Sequence, residues 1–133
     1  MPAPDDRASR FRILVVDDDE SVRAFVERAL VEHGYEVVAA AEGPEAINIA
    51  QQQGPFDLYV IDVMMPRMGG NQVARFIRRS DPQAKVLYFT GHSDRLFRQT
   101  HTLSENEAFL DKPATVAGLL EAVSLLMSGR IKP

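Results

Sequence analysis

Short, nearly unbroken apolar runs alternate along the chain with longer segments whose apolar positions recur every three to four residues. The first run, F-R-I-L-V-V at residues 11–16, is typical of a strand that is buried on both faces. A helical period then begins at Glu20 and stops at Gly34. Its apolar side carries Val22, Phe25, Val26, Ala29 and Leu30. The pattern predicts a buried strand followed by an amphipathic helix.

The same alternation continues through the rest of the chain. Four further apolar runs predict strands, at residues 35–41, 57–62, 85–90 and 108–110. Four further helices are predicted, at about residues 43–54, 71–80, 93–103 and 115–129. The helix at 93–103 has only a thin apolar stripe, and Thr115 is expected to cap the last one. Five strands alternating with five helices predict an α/β domain with an all-parallel sheet, right-handed crossovers and helices on both faces.

The length and composition fit one domain with a full core, because 133 residues of which 45% are hydrophobic can bury a core of ordinary size. Residues 1–10 contain two prolines and mixed charges without periodicity, so they are predicted to be a disordered leader. Residues 11–128 form the predicted domain, and residues 129–133 form a short C-terminal tail.

The charge balance and the missing residue types exclude several classes of function. A formal net charge of -4 argues against direct nucleic-acid binding, which requires an excess of Lys and Arg. The absence of cysteine excludes disulfides, thiol catalysis and cysteine-ligated zinc. There is no apolar run near 20 residues and no signal-peptide pattern, so no membrane insertion is expected and the predicted location is cytoplasmic.

Polar residues stand where the predicted strands end. Asp17 and Asp18 follow the first strand, Asp62 ends the third, Thr90 ends the fourth and Lys112 follows the fifth. Because the carboxyl ends of parallel strands share one edge of the sheet, these side chains are expected to lie close together. Three neighbouring carboxylates repel one another unless a cation neutralises them, and oxygen ligands without His or Cys favour Mg²⁺ or Mn²⁺.

An ammonium and a hydroxyl beside a metal and a carboxylate are suited to phosphoryl chemistry. The metal and Lys112 would neutralise the oxygens of a phosphoryl group, and Thr90 would hydrogen-bond one of them. Asp62 would then attack phosphorus in line. The product of this reaction would be an aspartyl phosphate.

Four motifs, in this order and each at a strand end, resemble the receiver domain of two-component response regulators. They are V-V-D-D at residues 15–18, I-D-V-M-M-P-R-M-G-G at 61–70, F-T-G at 89–91 and D-K-P at 111–113. The resemblance covers about residues 11–127. It implies a flavodoxin-like fold of five strand–helix units in three layers, with strand order 2-1-3-4-5.

The resemblance assigns the acceptor and metal residues. It implies that Asp62 is the phosphoacceptor and that Asp18, with Asp17 beside it, binds the metal together with Asp62. It also implies that the backbone carbonyl of Met64 completes the protein's share of the metal shell.

The resemblance further assigns the residues that respond to phosphorylation. Thr90 and Lys112 match the two residues that sense the phosphoryl group, and Phe109 matches the switch aromatic. Because Phe109 has no hydroxyl, any rotamer change there must act through packing. The Lys112–Pro113 peptide bond is implied to be cis, as is common in the family.

Several positions depart from the family's pattern or have simpler explanations. Gly69 stands where many members have Asp, which removes a helix N-cap. Met64 and His92 flank the expected phosphoryl site. A Met side chain cannot orient water, so slow self-hydrolysis of the aspartyl phosphate is hypothesised.

Asp19 is expected to cap the first helix. Three arginines are predicted to form a solvated helix face, namely Arg75, Arg78 and Arg79.

The resemblance predicts a receiver that accepts phosphate on Asp62 from a histidine kinase or a histidine phosphotransfer protein. The initiating Met1 and the short tails favour a complete, stand-alone protein over a piece of a hybrid kinase. It would act on an unidentified downstream protein by contact and would catalyse only its own phosphotransfer and autodephosphorylation, with dimerisation left open. A phosphorylation-independent docking receiver is one alternative. A metal-dependent phosphatase is another, although Met64 replaces the usual general acid and no cap domain is visible. Flavin binding is a third, disfavoured because Asp17 and Asp18 would repel a flavin phosphate.

Overall fold

The structure is a computed structural model that describes residues 11–91 and 106–128. Its strands are β1 Arg12–Val16, β2 Glu36–Ala40, β3 Leu58–Asp62, β4 Val86–Thr90 and β5 Glu107–Asp111. Its helices are α1 Glu20–Glu32, α2 Gly43–Gln53, α3 Gly70–Ser80 and α4 Val116–Ser128. The predicted leader at 1–10, the helix at 93–103 and the tail at 129–133 lie outside the described residues. The observed bounds differ from the predicted ones by one or two residues at most ends.

The five described strands form one parallel sheet in the order β2-β1-β3-β4-β5, which confirms the predicted doubly wound topology. The register of the sheet brings the strand ends together at one edge. Asp62 lies opposite Phe89, and Thr90 lies opposite Asp111. The residues that end the strands therefore face the same edge because of backbone pairing, before any side-chain contact is considered.

The inner strands are buried on both faces, as their continuous apolar runs predict. β3 and β4 are buried along their whole length. Successive side chains of a strand point to opposite faces, so each inner strand contributes to two cores. One core contains Leu14, Val16, Tyr59, Ile61, Val86 and Tyr88. The other contains Ile13, Val15, Leu58, Val60, Leu87 and Phe89.

The helix starts show which predicted caps form. Asp19 caps α1 as predicted, since its Oδ1 accepts hydrogen bonds from the backbone amides of Ser21 and Val22. Thr115 Oγ1 accepts from the Gly118 amide at 2.9 Å at the start of α4. At α3 the cap position is Gly69, which offers no side chain, and the Gln72 side chain instead accepts from the Gly69 amide at 3.0 Å.

Gly70 allows α3 to begin directly against the end of β3. A Cβ atom at this position would lie 2.3 Å from the carbonyl oxygen of Asp62, a backbone atom that cannot move aside cheaply. The second glycine of the G-G pair is therefore required by this close approach, and it places the N-terminus of α3 beside the strand end that carries Asp62.

The predicted solvated face of α3 is wrong for one of its three arginines. Arg75 and Arg79 are exposed, but the Arg78 guanidinium forms an ion pair with the buried carboxylate of Glu107. Its Nη2 also donates to the Ala84 carbonyl at 2.9 Å. Helical periodicity could not reveal this contact, because Glu107 lies 29 residues away in sequence and reaches α3 only through sheet pairing.

None of the helices in the described ranges is both long enough and apolar enough to cross a membrane.

Candidate functional site

Four strand ends build one site at the carboxyl edge of the sheet. Asp17 directly follows β1, Asp62 is the last residue of β3, Thr90 is the last residue of β4, and Lys112 directly follows β5. The loop after β5 is tied to β4, because the Lys112 amide donates to the Thr90 carbonyl at 2.7 Å. The backbone thus holds a cation next to the carboxylates of β1 and β3.

Lys112 bridges two buried carboxylates. Its Nζ lies 3.0 Å from Asp17 Oδ2 and 3.3 Å from Asp62 Oδ1. Asp17 is 2% exposed and Asp62 is 5% exposed, so both ion pairs are largely shielded from water. The Nζ atom also lies 5.5 Å from the centroid of the Phe89 ring. Because an uncompensated buried charge is strongly unfavourable, Lys112 is needed to hold these acids together.

The carboxylates of Asp17, Asp18 and Asp62 can place one oxygen each within 4.8 Å of one another. Asp17 is oriented by the Asp19 amide, which donates to its Oδ1 at 2.9 Å. Among the residues that the structure describes, no partner makes a hydrogen bond of good geometry to the buried Oδ2 of Asp17, although Lys112 lies beside it. A buried anionic oxygen in an all-oxygen cluster fits a hard divalent cation.

The crowding of these acids changes their protonation. Burial, followed by the charge of Asp17 and a hydrogen bond that the protonated Asp62 carboxyl donates to Asp18, raises the pKa of Asp62 from 3.8 to about 7, against the opposing effect of Lys112. Burial also raises the pKa of Asp17, against the hydrogen bond from the Asp19 amide. For Lys112, burial acts to lower the pKa, but close contact of its ammonium with the carboxylates of Asp17 and Asp62 raises it.

This shift predicts a pH dependence of stability in the metal-free protein. Between about pH 4 and pH 7, folded Asp62 holds a proton that the unfolded chain has lost. The contribution of Asp62 to the free energy of unfolding should therefore fall as the pH rises through this range and remain low above it. Urea unfolding in EDTA at several pH values, compared between the native chain and Asp62→Asn, measures the effect. Parallel pH profiles for the two proteins would contradict it.

The remaining predicted residues lie at or near the same edge. The Met64 amide donates to Asp62 Oδ1 at 3.3 Å, and its side chain is 64% exposed, while the metal role of its carbonyl stays a prediction. Thr90 is fully buried, and its hydroxyl donates to the Gly91 carbonyl at 2.7 Å. The Lys112–Pro113 peptide bond is cis.

The predicted switch aromatic, Phe109, lies on β5 directly opposite Tyr88. It is half-buried, and its ring centroid is 5.2 Å from that of Tyr88. The sequence pattern did not reveal the three residues next to this position, namely Tyr88, Glu107 and Arg78. Only Glu107 could have indicated them, because an acid buried at the start of a strand requires a polar partner.

A doubly wound parallel sheet with an acidic cluster at the carboxyl ends of its strands is typical of α/β domains that bind ligands at this edge. The sequence model of the response regulator receiver domain matches residues 13–124 of the chain. The chain therefore belongs to the response regulator receiver family, as its four motifs predicted. Membership of this family disfavours two of the alternative functions considered above, a metal-dependent phosphatase and a flavin-binding protein.

Two relatives of known function are signalling proteins of bacteria. The chain is 38% identical over 117 residues to the CAI-1 autoinducer sensor kinase/phosphatase CqsS of Vibrio cholerae, covering 85% of this chain and 17% of that protein. It is 36% identical over 122 residues to the response regulator MprA of Mycobacterium avium, covering 92% of this chain and 53% of that protein. The chain thus spans about half or less of the length of these relatives.

Solved structures share the fold along most of the chain. A response regulator receiver protein from Sinorhizobium medicae has a TM-score of 0.81 and 30% identity, covering 91% of this chain and 97% of its own. The chemotaxis protein CheY4 of Vibrio cholerae has a TM-score of 0.81 and 30% identity, covering 89% of this chain and 99% of its own. Both comparisons agree with the fold and with the family.

Proposed function

We propose that this chain is a stand-alone phosphorylation switch that accepts a phosphoryl group on Asp62 from a histidine kinase or a histidine phosphotransfer protein. The observation that carries the proposal is the position of the Lys112 ammonium, 3.0 Å from Asp17 and 3.3 Å from Asp62 in a buried acidic cluster. Such a site attracts a divalent cation and an incoming phosphoryl group, and it presents one carboxylate as a nucleophile.

The transfer would proceed by attack of a carboxylate oxygen of Asp62 on the phosphorus of a phosphohistidine. A P–O bond forms as the P–N bond breaks, and the imidazole nitrogen leaves with the electron pair. Lys112 neutralises charge on the phosphoryl oxygens and keeps Asp62 oriented through its ion pair. Asp17, Asp18 and Asp62 would hold Mg²⁺, which when bound supplies further charge neutralisation for the phosphoryl oxygens.

The response to phosphorylation would begin at Thr90. Its hydroxyl, which donates to the Gly91 carbonyl in this structure, would turn to donate to a phosphoryl oxygen instead. This change would pull the backbone around Gly91 toward the site and allow Phe109 to repack. The altered surface would then bind a downstream protein.

Intact-mass measurement after incubation with Mg²⁺ and acetyl phosphate tests the proposed chemistry. We expect the addition of one phosphoryl group, about 80 Da. A chain that binds the metal but gains no mass, from acetyl phosphate or from phosphohistidine donors, would support the phosphorylation-independent docking receiver instead.

The side chain at position 64 predicts the lifetime of the aspartyl phosphate. Met64 is exposed beside Asp62 and has no group that can orient an attacking water molecule. Replacing it by asparagine should accelerate loss of the phosphoryl group several-fold, because an amide can position water near phosphorus. The decay of the phosphorylated mass after removal of the donor measures this, with Met64→Leu as the apolar control. Equal decay rates for the asparagine and leucine variants would contradict the prediction.

A further inference from the structure

A buried ionic network joins α3 to the β4–β5 edge of the sheet, away from the acidic cluster. Glu107 begins β5 and is 5% exposed. Its carboxylate forms an ion pair with Arg78, and its Oε2 accepts a hydrogen bond from the Tyr88 hydroxyl at 3.4 Å. The Arg78 guanidinium is itself held by the Ala84 carbonyl, 2.9 Å from Nη2. The carboxylate is thus fixed between a helix and a neighbouring strand.

Burying an ionic network in a core carries a desolvation penalty. Apolar side chains of similar volume would serve packing as well or better, so a buried ion pair is poor support for a purely structural role. The Tyr88 hydroxyl donates to this carboxylate, and burial, followed by the charge of Glu107, raises the pKa of the hydroxyl above its usual range. The hydrogen bond restrains the orientation of the buried Tyr88 ring.

The Tyr88 ring connects this network to the switch aromatic. Tyr88 and Phe109 are direct partners in the β4–β5 register, and their ring centroids lie 5.2 Å apart at an interplanar angle of 35°. Thr90 lies two residues beyond Tyr88 on β4, so it projects from the same face of the strand. A restraint on the Tyr88 hydroxyl is consequently a restraint on the ring against which Phe109 packs.

We propose that Arg78, Glu107 and Tyr88 form a positioning network that holds Phe109 in its present packing and so opposes the switch. The proposal rests on the proposed function, because it concerns the regulation of the same site. It also predicts in which direction the network changes phosphoryl binding. In this structure the Thr90 hydroxyl donates to the Gly91 carbonyl, and this hydrogen bond must break when the hydroxyl turns to a phosphoryl oxygen. Loosening the network should therefore favour the phosphoryl-bound arrangement.

The test uses beryllofluoride, which imitates a phosphoryl group on a carboxylate, with Mg²⁺ present. Tyr88→Phe keeps the ring and removes the hydroxyl, and we expect it to bind beryllofluoride at least about threefold more tightly than the native chain in calorimetric titration. Glu107→Gln weakens the acceptor at nearly constant volume and should shift the affinity in the same direction. Because Glu107→Gln changes a different member of the network, its affinity for beryllofluoride tests the proposal if Tyr88→Phe does not fold.

Tyr59→Phe is the matched control. Tyr59 is buried in β3, belongs to the same core as Tyr88, and its hydroxyl accepts a hydrogen bond from the Phe56 amide at 3.1 Å. Both tyrosine variants should lower thermal stability, since each loses a buried hydrogen bond, but only Tyr88→Phe should change the affinity. A merely structural role for Tyr88 would leave its affinity equal to that of the control.

The outcomes separate this inference from the function on which it rests. If the native chain binds beryllofluoride and the network variants bind it equally or more weakly, the positioning role is overturned while the proposed function stands. If the native chain shows no Asp62-dependent binding, the proposed function itself fails, and the inference fails with it.

Discussion

Replacing Asp62 with alanine is expected to abolish phosphoryl incorporation completely. Asp62 is the carboxylate that Lys112 holds at 3.3 Å at the end of β3, buried next to Asp17 and Asp18. Without it the site would lack the proposed nucleophile. Asp17 also contacts the lysine, but it follows β1, whereas Asp62 ends β3 beside the N-terminus of α3. Intact mass after incubation with Mg²⁺ and acetyl phosphate should show the gain of about 80 Da in the native chain alone.

Two controls show whether the loss of phosphoryl incorporation is specific to Asp62 and depends on the metal. Asp19→Ala changes an acid from the same run of sequence whose carboxylate caps α1, so it should lower stability by about 1 kcal/mol but still accept phosphate. Omission of Mg²⁺ should suppress incorporation in the native chain. A phosphorylated product of Asp62→Ala would show that another side chain is the acceptor and would overturn the assignment.

Replacing Arg78 with methionine is expected to cause a large loss of stability, about 3 kcal/mol. The guanidinium forms an ion pair with a carboxylate that is nearly inaccessible to water and also donates to the Ala84 carbonyl. Methionine fills part of the volume but supplies neither charge nor donors, so Glu107 would lose a counter-charge in the core. Urea unfolding followed by circular dichroism measures the change in the free energy of unfolding.

The neighbouring arginine provides the control. Arg79 is exposed and lies over the Phe76 ring at 5.0 Å, so Arg79→Met should change stability by less than about 1 kcal/mol. The double variant Arg78→Met with Glu107→Met should recover much of the loss, because removing both charges avoids an uncompensated buried anion. Equal effects of the two single arginine substitutions would mean that the ion pair contributes little.

Much of the fold could be predicted because it depends on local pattern. Continuous apolar runs indicated strands buried on both faces, and β3 and β4 are fully buried as expected. Helical spacing and a side-chain cap located α1, including its N-cap residue Asp19. The strand order was predicted from the resemblance of four ordered motifs to the receiver family, and the structure confirms it.

The predicted face of α3 failed because its decisive partner is remote in sequence. Arg75, Arg78 and Arg79 look alike in a helical projection, yet within residues 11–91 and 106–128 Arg78 is the only one of the three that forms an ion pair with a buried acid. That acid, Glu107, reaches Arg78 only after β5 pairs with β4 and α3 packs on the sheet. A period in one segment carries no information about a charge supplied by another segment.

For this protein, the sequence by itself determined the succession of strands and helices and which acids, hydroxyl and amine stand at the strand ends. Parallel pairing then brings those residues to one edge whatever their detailed packing. Only the tertiary structure decided that Lys112 bridges Asp17 and Asp62, that the Thr90 hydroxyl donates to Gly91, and that Gly70 must lack a side chain. The physical reason is that strand ends follow from local backbone preference, whereas contact distances, burial and the resulting pKa of Asp62 depend on how separate segments pack together.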